Sequence, residues 1–176
     1  SVTTTDDDVA GFTIAETDGS TSVTEAGSTD LFTVVLNAQP ATDVVVQFVS
    51  ADTGEVTVTS LLTFTSANWD TPQTVTVTGV DEDFVDQDQT TIITASILDV
   101  SSDDNFDAVA DQTVSVTTTD DDVAGFTIAE TEGSTGVTEA GSTDLFTVVL
   151  TGRPITDVAF SISSSDLTET LSLIHI

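Results

Sequence analysis

The sequence predicts an all-β protein built as tandem β-sandwiches of about seven strands per domain. Three observations carry this reading. Short runs of Val, Ile, Leu and Phe alternate with Thr, as in TVTVT at Thr74–Thr78, where Val75 and Val77 share one face. Turn residues separate these runs, and no run carries a helical period. A long segment of the chain also repeats almost without change.

The repeat sets the domain organisation. SVTTTDDDVAGFTIAET starts at Ser1 and again at Ser115, an offset of 114 residues. VTEAGSTDLFTVVL starts at Val23 and again at Val137, with the same offset. That period is too long for a solenoid unit and suits one whole domain. Residues 1–8 are expected to close a preceding repeat, 9–122 to form a complete one, and 123–170 to begin another that is cut short. The final LSLIHI, Leu171–Ile176, can be encoded by CTG TCT CTT ATA CAC ATC. That string matches the mosaic end of a transposase-based sequencing adapter, so 171–176 reads as adapter read-through, His175 included.

Within the complete repeat the expected strands follow in order. Gly11–Ala15 and Leu31–Leu36 are apolar runs bounded by Gly, Asp and Asn. Asp43–Val49 contains VVVQFV, continuous enough for a central strand. Val56–Phe64 and Gln73–Val80 alternate, with Pro72 just before the second, where a missing N–H is harmless. Thr90–Leu98 and Thr113–Thr118 complete the set. Trp69 is expected to anchor packing where a strand begins.

Charge excludes whole classes of function. The chain has 31 Asp+Glu against one Lys+Arg, a net charge of -30. So basic-poor a chain has no surface for nucleic-acid phosphates or anionic lipid. It has no Cys, hence no disulfide or thiolate metal site, and one His, hence no multi-histidine site. No stretch reaches the roughly 20 apolar residues of a membrane helix. Such acidity often means disorder, but 38% hydrophobic residues rich in β-formers argue for a folded chain.

The acids gather at strand ends. Asp120, Asp121 and Asp122 close the repeat; Asp81, Glu82, Asp83, Asp86 and Asp88 follow the TVTVTGV run. Asp52 and Glu55 follow VVVQFVS, Glu25 sits in VTEAGS, and Asp99, Asp103, Asp104, Asp107 and Asp111 form a further group. Like charges about 4–5 Å apart repel by about 1 kcal/mol even in water-like dielectric. Ca2+, a hard cation taking 6–8 oxygens in loose geometry, converts that repulsion to attraction. Mg2+ is less suited because it keeps its waters, and Zn2+ would want nitrogen or sulfur. A solvated, salt-adapted acidic surface is the alternative. DEDFVDQDQTTI lacks the Gly and final Glu of an EF-hand loop.

These residues resemble the Calx-β domain family. TDDDVAGFTIAE (Thr119–Glu130) is similar to that family's domain junction, LLTFTSANWDTPQTVTVTGVDEDFVDQDQTT to its central stretch, and VTEAG (Val23–Gly27) to an early ligand-bearing strand. The resemblance implies an Ig-like sandwich of seven strands that binds Ca2+ through Glu25, Glu82, Asp83, Asp86, Asp120, Asp121 and Asp122. Asp52 is the best match for a further ligand. Two departures, Gln89 in place of a second Glu and SADTGEVTV in place of a GTA…DY motif, imply fewer ions or weaker binding. The second repeat keeps Glu139 and Asp166.

The expected role is a calcium-rigidified spacer in a large, adhesin-like bacterial protein, secreted or at the cell surface. Its partners would be calcium ions and neighbouring repeats of the same chain. The alternative is a glycan- or protein-binding module. No enzymatic activity is expected, because the acids crowd one another instead of forming an isolated pair.

Overall fold

A computed structural model of the chain describes Val2 and residues 7–165. Leu171–Ile176, Asp166 and most of the expected closing segment 1–8 lie outside the described residues. The chain divides into two units, Ser1–Glu82 with Gln87–Asp121, and Asp83–Asp86 with Asp122–Ile176.

The first unit is a β-sandwich. Its strands are β1 (Phe12–Glu16), β2 (Thr21–Thr24), β3 (Thr29–Leu36), β4 (Val44–Ser50), β5 (Val56–Val58), β6 (Leu61–Phe64), β7 (Gln73–Gly79), β8 (Gln89–Ile97) and β9 (Gln112–Thr119). One sheet has the order β1-β3-β7-β5 and the other β2-β9-β8-β4-β6. All pairings are antiparallel except β2 with β9, which is parallel.

Period-2 alternation puts one side of every strand in the core. Val75 and Val77 of β7, Val44 and Val46 of β4, and Phe32 and Val34 of β3 are all fully buried. Phe32 meets Phe48 of the opposite sheet edge to face, with ring centroids 5.8 Å apart. Trp69 packs against this core, and its C=O accepts from the Leu36 N–H at 3.1 Å. The outward positions of the strands are mostly Thr, with Ser, Val, Ala, Leu, Gln47 and Ile92 among them, and apart from Glu16 and Asp30 the acids of this unit lie outside the strands.

Two strands depart from the sequence expectation of seven. β2 is short and three of its four residues are polar (TSVT), so its pattern is too weak to mark; its parallel pairing with β9 makes it a strand. The Val56–Phe64 run splits in two. The Thr59 N–H donates to Thr76 O at 3.0 Å in the first sheet, while Ser60 O accepts from the Phe48 N–H at 2.9 Å in the second. The chain therefore changes sheets between adjacent residues, which hydrophobic pattern alone does not reveal.

The Asp99–Asp111 group is a brace. Asp103 is 5% exposed and accepts from the backbone N–H groups of Ala41 (2.7 Å), Thr42 (3.0 Å) and Asn105 (3.0 Å), and from Asn105 Nδ2 (2.8 Å). It ties the loop before β4 to the turn before β9. Those N–H donors hold its carboxyl below the ordinary aspartate value, with the Asn105 N–H the largest cause. Phe106, in the same turn, is 2% exposed and plugs the core from this side.

In the second unit, β10 (Phe126–Glu130) and β11 (Phe146–Leu150) pair antiparallel with Phe126 opposite Leu150, as Phe12 is opposite Leu36 in the first. Arg153, the chain's one Lys or Arg, lies 4.2 Å over the ring of Phe84, a cation–π contact.

A depressed folded-state pKa contributes stability that is present above the unfolded value and lost as pH falls through the folded one. Asp103→Ala should lower stability by about 1–3 kcal/mol at neutral pH, because three backbone N–H groups lose a charged acceptor. The penalty should shrink in melts recorded at progressively more acid pH. A penalty that is independent of pH would contradict the ionised-brace account.

Candidate metal centre

The site grows from the end of β2. Thr24 is opposite Thr119 in the parallel β2–β9 pairing, and the Glu25 N–H donates to Thr119 O at 3.2 Å. Glu25 thereby lies beside the acidic run that leaves β9. The VTEAGS turn then closes, with the Gly27 N–H donating to Thr24 O at 3.1 Å and Gly27 at φ +82°. That left-handed geometry suits glycine. At the far side, Gly79 ends β7, and a Cβ there would lie 2.1 Å from Thr24 O. The absent side chain lets β2 cross close to β7, which brings Glu25 near the acidic loop that follows β7.

Glu25 is 0% exposed, and neither carboxylate oxygen has a hydrogen-bond partner. Its pKa is pushed up to about 7. Burial is the largest cause; the backbone N–H of Asp121 pulls the other way without forming a full hydrogen bond; the charges of Asp120, Glu55 and Glu82 push it further up. Within the first unit, a Glu25 oxygen lies within 4.8 Å of a carboxylate oxygen of Glu82, and within the same limit of one of Asp120. The loop after β7 is held to the end of β9. The Gln87 N–H donates to Asp120 Oδ2 at 2.8 Å, the Asp120 N–H donates to Asp88 Oδ1 at 3.3 Å, and Gln87 adopts φ +69°.

Glu25, Glu82 and Asp120 of the first unit therefore come together, while Asp86 and Asp122 belong to the second unit. Three other sequence candidates do not contribute a carboxylate. The exposed Asp52 turns back on its own loop and accepts from the Gly54 N–H at 2.8 Å. Asp83 is exposed, and its carbonyl accepts from the Arg153 N–H at 2.7 Å. Asp121 is exposed and offers its backbone N–H. Glu55 is the residue that the sequence noted but did not place. It sits one residue before Val56, which pairs with Gly79, and its C=O accepts from the Val80 N–H at 3.0 Å. The loop from β4 thus reaches the site through Glu55 instead of Asp52.

The donor set fits a hard cation. It is all carboxylate oxygen, drawn from several loops, with a buried carboxylate that has no hydrogen-bond partner among the described residues. Ca2+ suits this set better than Mg2+, which demands tighter octahedral geometry, or Zn2+, which prefers nitrogen and sulfur.

No protein-family model and no curated protein sequence matches the chain. Solved structures of similar fold include the E. coli chaperone DraB, with TM-score 0.45 and 14% identity over 67% of this chain and 59% of that one. The apo-form Calx CBD1 domain aligns with TM-score 0.45 and 18% identity over 63% of this chain and 98% of that one. The calcium binding domain CBD12 of CALX1.1 aligns with TM-score 0.40 and 15% identity over 62% and 45%. The chain spans less than two thirds of the DraB and CBD12 structures. At these identities the likeness is one of fold.

A carboxyl raised from 4.5 to about 7 binds its proton more tightly folded than unfolded, so its contribution to stability falls as pH rises through that window. In EDTA, the melting temperature should drop between pH 5 and pH 8. Glu25→Gln should flatten that slope and be more stable than the native chain at pH 8. Parallel slopes for the two proteins would show that Glu25 is not the strained group.

Proposed function

We propose that this chain is a calcium-binding structural module of a tandem-repeat protein. The observation that carries the proposal is Glu25, a fully buried carboxylate with no hydrogen-bond partner among the described residues, within 4.8 Å of carboxylate oxygens of Glu82 and Asp120. A divalent cation would supply the missing partner. It would also join the turn after β2, the loop after β7 and the acidic run after β9.

Asp120–Asp122 immediately precede the next copy of the repeat in the sequence. An ion held there restrains the backbone leading from one repeat to the next. Without the ion the same carboxylates repel, and the connection loosens. The role we assign is thus a calcium-dependent spacer, without catalytic activity, in a protein displayed at or beyond the cell surface. There calcium at about millimolar levels meets the affinities of about 10⁻⁴–10⁻³ M usual for extracellular modules. The lack of cysteine suits an exported chain that folds without oxidative help.

Melting with calcium, with magnesium and with sodium chloride at matched ionic strength tests the reading. Calcium at about 100 times its dissociation constant should stabilise the fold by about 2.7 kcal/mol. Magnesium and sodium should do much less. Glu25→Gln should weaken calcium binding at least about tenfold, the loss of one charged ligand from a small set. Equal stabilisation by all three salts would mean that the acids are a solvated surface that only needs screening.

A further inference from the structure

We propose that Gly152 and Arg153 form a selective docking site for the Asp83–Asp86 segment, so that two residues of one repeat decide whether it latches the acidic loop of the repeat before it. This inference does not rest on the calcium reading.

The segment has two allegiances. By sequence, residues 83–86 lie inside the complete repeat, in the loop after β7. By their contacts they belong to the second unit, with Asp122–Ile176. Within that unit Phe84 and Arg153 form a parallel β-bridge. The Arg153 N–H donates to Asp83 O at 2.7 Å, and the Val85 N–H donates to Arg153 O at 3.1 Å. Main-chain bonds of this kind position the segment but do not select it, since any residue other than proline could make them.

Selection comes from the side chains, and the internal repeat shows which ones. Thr151–Pro154 reads TGRP, while Asn37–Pro40, at the 114-residue offset, reads NAQP. A Cβ on Gly152 would lie 2.5 Å from Val85 Cγ2, well inside carbon–carbon contact distance. Valine is stiff about χ1, so that methyl cannot simply swing away. The alanine of the first copy would therefore exclude Val85 from this place. Arg153 holds its guanidinium 4.2 Å over the Phe84 ring, and the glutamine of the first copy has no charge to offer there.

In the first copy the same two positions serve their own sandwich. Ala38 is buried in the core, and Gln39 Nε2 donates to Ser66 O at 2.7 Å. Both substitutions thus turn the loop from its own domain towards the segment of a neighbour. Arg153 is also the one Lys or Arg in a chain with 31 acids. Phe84 offers that cation a ring face with aspartates at 83 and 86 in the same segment. The partner that fits is an acidic segment with an aromatic and then a β-branched residue, Asp-Phe-Val. Junctions whose second repeat carries Gly-Arg are latched, and those that carry Ala-Gln are not.

Arg153 is the only arginine, so its Nε–H gives a single NMR signal in the full chain. In EDTA, and again in calcium, the Phe84 ring should shift that signal upfield, and Phe84→Leu should return it to an ordinary position. Amide exchange at Val85 and Arg153 should speed up by about tenfold or more in Gly152→Ala and by about threefold in Arg153→Gln. Exchange in β8 and β9 should stay at native rates, which shows that the sandwich is intact. An Arg153 signal that Phe84→Leu leaves unmoved would overturn the proposal. So would native exchange rates at Val85 and Arg153 in the variant carrying both substitutions. A ring shift that appears only with calcium would also overturn it, because the latch would then be a consequence of the ion.

Discussion

A carboxylate sealed from water beside other carboxylates is the constraint around which the first unit is organised. Glu25 is sealed from solvent, and among the described residues it has no hydrogen-bond partner. Asp120, Glu55 and Glu82 surround it with like charge, which adds to desolvation in raising its pKa. Two charges about 5 Å apart cost about 1 kcal/mol in water-like dielectric and more where water is excluded. At neutral pH the group must hold a proton or face a cation. Each feature nearby keeps it in that position: parallel pairing of β2 with β9, the left-handed turn at Gly27, and the close crossing that Gly79 permits.

The two copies of the repeat separate local from long-range causes. The VTEAGS turn forms in both, with the Gly141 N–H donating to Thr138 O at 2.9 Å as Gly27 does to Thr24. The aspartate that follows acts alike in both. Asp30 accepts from the Ser22 and Leu31 N–H groups, and Asp144 from those of Gly136 and Leu145. Those donors hold the Asp144 carboxyl below its ordinary value, the Gly136 N–H most of all. Yet Glu139 is exposed where Glu25 is buried. Turn chemistry is written in a few adjacent residues, but burying the glutamate takes β9, which comes some ninety residues later in the chain.

Charge and hydroxyl are segregated for a related reason. Threonine fits a pleated surface and adds no charge, so the outward faces of both sheets tolerate it at position after position. Apart from Glu16 and Asp30, the acids of the first unit are left to the loops, and most of them are exposed there. The same segregation gives acids two separate uses. Asp103 is satisfied by four N–H donors and braces two loops, while Glu25 has none among the described residues.

The amino-acid sequence by itself determined the all-β class, most strands of the complete repeat and the acidic ends of those strands. Each depends on neighbours a few residues apart: alternation, turn residues and runs of like charge. The parallel strand β2 was not legible, because four residues with a single valine become a strand only against β9. Nor was the change of sheet between Thr59 and Ser60, which depends on where β4 and β7 lie. Within the acidic runs, sequence could not separate Asp103 from Glu25, or Asp52 from Glu55. All four are acids near strand ends, and only the tertiary structure decides which meets backbone N–H groups and which meets other carboxylates. That choice is made by contacts between residues far apart in the chain, and no local pattern records them.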